Sequence, residues 1–561
     1  KPLNNQKLFR KTFIPEIGTS LSKAGRLSVA LNWGNETNRA RVMDGDRWTE
    51  RQVHAILDTL DKSDWDFVQS VWDHIDSYWP QIAAKQERVT GLAPEKVQAA
   101  PITTKFGEYR GGYYPIKYDP YRSSRSGADV QSETLKQMLG GAYTAASTKR
   151  GHTKARVDTV ERPVRKDLGV VFEHVQQVIH DLAYHEYTID ANRLLRNGQI
   201  DEAVRAHYGP ETLAAMRSAV RDVAVGDIPA QGAFERSLNY LRTGATTAGL
   251  GWNLTTSLMQ PLGLTQSMVR IGPKWVGRGL AKWLGDAARM ENTAKTIYAK
   301  SEFMRLRGKT QQREISEARL ALEAAGSTLA QMRGAMKNSY FDLITKMQLV
   351  ADIPTWLGQY EKSLDAGEPE ARAIALADQA VLDAQGGGQI KDLAAIQRGE
   401  PLKKLFTSFY SFFNTTYNLT AESIHRTDFK KPGDIGKLAI DFLLLYTIPA
   451  FLGQTLTSLV RGDEQDGEKL AKDFATSQLS YLAGTLVGAR ELSGVLNGYS
   501  NYSGPGGLRF FSESTKLIVA LEKGKPDAHL ARSASQVAGI LLHYPAVQAD
   551  RVAEGIAAFA N

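Results

Sequence analysis

Cysteine is absent from all 561 residues. Disulfides, thiolate-built zinc sites and thiol nucleophiles are therefore excluded, and a chain that must refold after crossing compartments has no thiols to mispair. Complete catalytic motifs are missing too. Gly308-Lys309-Thr310 has the ending of a phosphate-binding loop, but Phe303 stands where that loop needs its first glycine. No G-x-G-x-x-G follows a strand pattern, and no G-x-S-x-G elbow occurs. His174, His180 and His185 are six and five residues apart, whereas a helical metal pair needs a spacing of four, so they read as structural histidines. The opening residues lack the basic, apolar and small-residue stages of a signal peptide. With its start at Lys1-Pro2-Leu3, the chain is expected to be a segment of a longer polypeptide.

What is present is an ordinary globular composition, 42% hydrophobic and 23% charged, enough apolar material for several cores. The 69 basic and 61 acidic residues leave a net charge of +8, which permits contact with nucleic acid or anionic lipid without requiring it. Helical periodicity dominates. From Asp44 to Lys85, Trp65, Trp72 and Trp79 recur every seven residues and are expected to share one face of a continuous helix, as a core seam. Residues 106–120 mix Gly, Pro and Tyr, which favour turns and extended chain, and read as a connector whose tyrosines dock on neighbouring helices. Helix is expected again over 130–146, 170–195, 302–337 and 368–383, the last ended by Gly386-Gly387-Gly388. The uncharged stretch Thr243–Val269 reads as a buried helical hairpin.

The fold class that follows is all-α: an extended multi-helix assembly with a Gly/Tyr/Pro-rich connector and marginally hydrophobic C-terminal helices. Four regions are expected, 1–90 with the tryptophan face, 91–166 with the connector, a helix and a basic linker, 167–400 as a central helical domain, and 401–561 as an apolar region. In the basic linker, Lys149, Arg150, Lys154, Arg156, Arg162, Arg165 and Lys166 are the candidate nucleic-acid contacts. In the last region, Phe406, Phe409, Phe412 and Phe413 follow Lys403 and Lys404, as in a helix lying at a membrane interface or in a partner groove. Three charge-free runs come next, 442–460, 474–489 and 533–549. The first carries Phe442, Leu443, Leu444, Leu445 and Pro449. The second carries Gly484 and Gly488 at the spacing that lets helices approach closely in lipid. Each is near the minimum length for spanning a bilayer and is interrupted by Pro, Gly or Gln. Intermediate hydrophobicity of this kind suits a protein that stays folded in a particle and meets lipid later.

Several phrases carry a family resemblance. Gly111-Gly112-Tyr113-Tyr114-Pro115-Ile116-Lys117-Tyr118-Asp119 is similar to a phrase of the very large polyvalent proteins of phages and prophages. So are Val178-Ile179-His180-Asp181-Leu182 with Asp190 to Leu195, Leu250 to Gly263, and Pro401 to Asn414. The last resembles the PLxRFxG phrase of some of these proteins but has Lys404-Leu405 where Arg-Phe would stand. A further likeness, Glu422-Ser423 with Leu258-Met259-Gln260, resembles two motifs of lytic transglycosylases. In that family the second motif follows the first, and here it precedes it, so the match reads as chance.

The phage resemblance spans roughly residues 100–420. It implies an internal virion or ejection protein, or a non-catalytic helical region of a giant virion protein such as a virion RNA polymerase. The expected function is that of a non-enzymatic structural part of a conduit for DNA delivery across the host envelope, without cofactor or metal. Its expected location is the virion interior and then the host cell envelope. Its expected partners are other ejection or core proteins, copies of itself, phage DNA and host membrane lipid. The competing reading is a virion-delivered DNA-binding or anti-restriction protein acting in the host cytoplasm. That protein would bind DNA in a salt-sensitive way and ignore liposomes.

Overall fold

A computed structural model of the chain describes residues 8–119, 122, 162–226, 233–285, 287–324, 339–398, 404, 407–408, 410–461, 509–522 and 528–550. The fold is all-α, with two small two-stranded antiparallel sheets. It divides into two compact units, Lys1–Asp227 and Ile228–Asn561. The boundaries expected at residues 90, 166 and 400 fall inside these units.

The first unit opens with a hairpin, β1 (Lys11–Ile14) and β2 (Thr19–Ser22), registered so that Lys11 faces Ser22. The chain then enters α1 (Lys23–Asn32), whose first turn is capped by the Ser22 hydroxyl accepting from the Gly25 amide at 3.0 Å. Helices α2 (Glu36–Asp46), α3 (Glu50–Leu57), α4 (Lys62–Asp76) and α5 (Trp79–Thr90) follow. Capping boxes start α3 at Thr49/Gln52 and α4 at Asp61/Asp64. Trp65 and Trp72 are buried on one face of α4, and the Trp72 indole donates to the Leu31 carbonyl at 2.9 Å.

Trp79 does not continue that face. The helix stops at Asp76, and Pro80 falls in the first turn of a new one, where its missing amide costs nothing. The seven-residue tryptophan spacing therefore bridges two helices, and only its first two members form the seam. Trp79 is half-buried, with the Lys96 ammonium 5.8 Å from its ring centre.

Residues 100–119 close the core of this unit. The hairpin of β3 (Ile102–Thr104) and β4 (Gly107–Tyr109) leads into extended chain. Tyr109 stacks on Trp65 with ring centres 5.4 Å apart, and its hydroxyl donates to Asp66 at 2.9 Å. Tyr114 is fully buried. Gly34 and Gly112 both press on Trp72, and a Cβ at Gly34 would lie 2.5 Å from the indole and one at Gly112 2.5 Å from the Trp72 Cβ, so only glycine fits. Helices α6 (Gly169–Leu195), α7 (Gly198–Tyr208) and α8 (Pro210–Val225) complete the unit. On α6, His174 packs on Tyr113 and the His180 ring meets the Ala224 carbonyl at 3.3 Å. His185 stands beside Asp181, which pairs with the buried Lys85. The residues expected to form a helix over 130–146 lie outside the described ones.

In the second unit α9 (Ala233–Leu250), α10 (Leu254–Met259) and α11 (Leu264–Ile271) occupy the uncharged stretch read as a hairpin. It is broken twice rather than once, at Trp252, which takes a left-handed φ of 52°, and at the 3-10 turn Gln260–Gly263, where Pro261 falls in the first turn. Next come α12 (Pro273–Leu284), α13 (Ala287–Lys300), α14 (Glu302–Thr310) and α15 (Arg313–Ala324). The single helix expected over 302–337 is thus two helices in its described part. The break has a cause: the Gly388 amide donates to the Thr310 carbonyl at 2.9 Å, taking the acceptor that a continuing helix would use.

The centre is α16 (Asp342–Asp365), with α12 and α17 (Glu370–Gln385) packed on it. The alanines Ala373, Ala377, Ala380 and Ala384 make α17 thin enough for close contact. At the α12–α16 crossing the backbones touch: a Cβ on Gly279 would lie 2.1 Å from the Pro354 carbonyl oxygen. Beneath this crossing Arg307 and Asp352 form a fully buried ion pair at 2.9 Å. The last described helices are α18 (Ser411–His425), α19 (Pro432–Phe442), α20 (Ile448–Arg461), α21 (Arg509–Glu522) and α22 (Ala528–Leu541). The charge-free run 533–549 is not one apolar helix. It ends α22, reverses at His543 (φ 50°) and packs on α9 through Ile540 against Ala245 and Ala248.

Asp378 on α17 accepts from the Ser301 hydroxyl at 2.6 Å and the Trp356 indole at 2.7 Å, and burial raises its carboxyl above the usual 3.8. A carboxyl raised in the folded state contributes stability below pH 3.8 and loses it as pH climbs through the folded value. Asp378→Asn keeps both donors satisfied and carries no charge. It should match the wild type in acid and exceed it at neutral pH, as read by denaturant unfolding at both. A difference that is the same at the two pH values would contradict this.

Candidate functional site

The helix α19 runs without interruption into α20 through a π-helical turn, Leu443–Thr447. The cause is Pro449, which has no amide to give and whose ring collides with the carbonyl four residues back. A π turn resolves this by widening the ladder, and the Ile448 amide reaches the Leu443 carbonyl five residues behind it. The extra residue also turns the helix relative to its neighbours, so that Leu444, Leu445 and Tyr446 are buried in succession.

That inner face is well fixed. Leu444, Leu445 and Tyr446 pack with Val269 of α11 and Leu419 of α18. The Tyr446 and Thr420 hydroxyls lie 2.8 Å apart, and Phe442 stacks on Tyr446. Pro449, Ala450 and Gly453 are also buried, and a Cβ on Gly453 would meet Leu262 and Met259 at 3.7 Å. The outer face is different. Ile435, Ile440, Leu443, Ile448, Phe451 and Leu452 are all exposed, Ile440 by 53% and Leu443 by 50%. Phe429, in the loop before α19, is exposed as well. From Pro432 to Leu456 this is a 25-residue helix, the one among the described residues that is long and apolar enough to cross a membrane, and 22% of its most apolar stretch is buried.

The expected contact residues are thus divided by the fold. Leu443 and Phe412 are exposed, Phe413 and Phe442 are half-buried, and Leu444, Leu445 and Pro449 face inward. The inward three are packing residues and cannot touch lipid or a partner. Phe412 and Phe413 meet edge to face with centres 5.5 Å apart. Phe406, Phe409, Gly484 and Gly488 lie outside the described residues. Ile435 and Ile440 were missed because a charge-free window stops at Asp441. In the structure Asp441 is paired with Arg426 at 2.9 Å, so the apolar face extends a further ten residues toward Pro432. Glu422 also pairs with Arg426, and Ser423 is buried.

Of the basic linker, Arg162, Arg165 and Lys166 are described. Arg162 lies over the Tyr118 ring at 5.6 Å, and Arg165 pairs with Asp167 and, at 2.9 Å, with Glu173. Lys166 is buried against Asp46 at 2.5 Å with its ammonium over Trp48, and burial pushes it below the usual lysine range. These three cations are engaged by the protein itself. Lys149, Arg150, Lys154 and Arg156 lie outside the described residues.

Comparisons with protein-family models, with curated proteins and with solved structures find no match.

The two-faced assignment can be measured directly. Leu445→Ala should cost about 2–5 kcal/mol, the range for emptying a well-packed leucine site. Leu443→Ala, two residues away, should change stability by no more than about 0.5 kcal/mol. Equal losses in denaturant unfolding would mean that the outer face is covered.

Proposed function

We propose that this chain is a structural, non-enzymatic component of a bacteriophage particle that is ejected with the genome and engages the host membrane as part of a conduit for DNA. The observation that carries the reading is the exposed apolar face of the helix Pro432–Leu456, formed by Ile435, Ile440, Leu443, Ile448 and Leu452. At 1.5 Å per residue its 25 residues extend roughly 37 Å, longer than the roughly 30 Å hydrocarbon core of a bilayer. Lys430, Lys431 and Lys437 stand at one end and Arg461 at the other, where a spanning helix meets headgroups.

Six large apolar side chains on that face are left to water. Because each is about half exposed, it gains about 1 kcal/mol on entering lipid, and their transfer is favourable by roughly 5 kcal/mol. Beyond Asp441, which is paired with Arg426, the inner face contacts its neighbours through a Tyr446–Thr420 hydrogen bond and a buried glycine, as helices in a bilayer do. The phage assignment is supported by the resemblance of residues 111–119, 250–263 and 401–414 to phage polyvalent proteins. The pairing of Arg162, Arg165 and Lys166 within the protein favours lipid over DNA as the first contact to test.

Flotation of the full chain with anionic liposomes tests this reading. Wild type should rise with the vesicles, and Leu443→Glu combined with Phe451→Glu, both exposed positions, should leave a folded protein at the bottom of the gradient. A wild-type chain that stays below the vesicles, and binds duplex DNA with a steep salt dependence instead, would replace this function with the cytoplasmic DNA-binding one.

A further inference from the structure

The second unit contains a cavity of about 340 Å³ that the bilayer reading does not use. It lies where α10, α16, α17 and the α14–α15 break converge, and among the described residues its lining has six glutamines, one carboxylate (Glu314) and no lysine, arginine or histidine. Leu262, Ile344 and Phe412 supply apolar wall.

Most of the glutamines are spent on the protein. The Gln348 amide donates to Asp352 and to the Gln385 oxygen, both at 3.1 Å. Gln385 in turn donates to the Gly263 carbonyl at 2.7 Å and the Ser267 hydroxyl at 2.8 Å. Gln260 donates to Thr256, and Gln266 to Thr416. Gln311 is the exception. It stands at the break between α14 and α15, is 3% exposed, and neither its amide nitrogen nor its carbonyl oxygen has a hydrogen-bond partner among the described residues. Its neighbours hold it there: its backbone amide donates to the Arg307 carbonyl, and the Arg307 side chain is fixed by Asp352 and the Gly386 carbonyl. A buried carboxamide without protein partners is expensive to keep, and one that lines a cavity offers its donor and acceptor to a molecule that enters.

We infer that this cavity binds a small uncharged molecule with a flat edge that sets a hydrogen-bond acceptor beside a donor, the chemistry of a nucleobase. A carboxamide presents the complementary donor and acceptor in one plane, the geometry by which glutamine reads adenine. Apolar wall and the exposed Phe412 ring suit the face of such a ring. Among the described lining residues there is no cation, and the Glu314 carboxylate disfavours a phosphate or carboxylate beside it. A nucleoside therefore fits and a nucleotide does not. This inference is independent of the membrane reading.

The test is calorimetry and thermal unfolding of the full chain with adenosine, uridine and AMP. Binding of either nucleoside with a rise in Tm, and AMP at least about tenfold weaker, is the expected result. Gln311→Met should lose nucleoside affinity by about tenfold while its own Tm equals or exceeds that of the wild type, because the substitution removes an unsatisfied amide. A merely structural glutamine would lose stability instead. Failure of both nucleosides, equal binding of AMP, or unchanged affinity in Gln311→Met would each overturn the proposal. A wild-type crystal soaked in adenosine gives a reading that needs no variant: a base edge on Gln311 supports the site, and ordered water alone overturns it.

Discussion

Apolar surface has to be taken out of water somewhere, and a helix that is greasy on every side needs cover on every side. Along Pro432–Leu456 the fold meets that requirement on one face only. The π turn before Pro449 directs Leu444, Leu445 and Tyr446 into the protein, and in doing so commits Leu443, Ile448, Phe451 and Leu452 to the outside. The two faces are consequences of one local event. A proline that can neither donate nor tolerate the carbonyl behind it forces a widened turn, and the widened turn sets which side chains face outward.

The interior of the second unit is held by a different balance. Arg307 and Asp352 are both withdrawn from water, which costs several kcal/mol per ion unless geometry and further hydrogen bonds repay it. Here Gln348 donates to Asp352 and the Gly386 carbonyl accepts from Arg307, although Arg307 Nη2 is left without a partner among the described residues. Such a network tolerates little displacement, and it anchors the ends of α14 and α17 to the middle of α16. The same rigidity leaves Gln311 nowhere to turn, so the unsatisfied amide and the polar cavity follow from the buried pair beside them.

Much of the helical content was legible in advance. The 170–195 periodicity matches α6 to within a residue, and the triple glycine after α17 ends it as read, with Gly386 at a φ of 70°. What could not be read was set by partners distant in sequence. The break at Gln311 depends on Gly388, and the length of the apolar helix depends on Arg426 neutralising Asp441. The exchange of Lys166 from candidate phosphate contact to buried ion partner depends on Asp46, 120 residues away. Periodicity identified Phe442 to Leu445 as apolar but could not divide them, because that division belongs to the π turn. Trp79 misled for a simpler reason: a heptad spacing says nothing about whether the helix between its members is continuous, and Pro80 was the sign that it is not.

Because the chain has no cysteine, single thiols can be placed at will and labelled without background. A nitroxide on Leu443→Cys reports the outer face and one on Leu445→Cys the inner. On addition of anionic vesicles, the label at Leu443 should become accessible to lipid-soluble oxygen and shielded from a water-soluble nickel chelate, with the label at Leu445 unchanged. A Leu443 label that stays open to the chelate in the presence of vesicles would contradict a lipid-facing helix and with it the account of this protein as a membrane-engaging component.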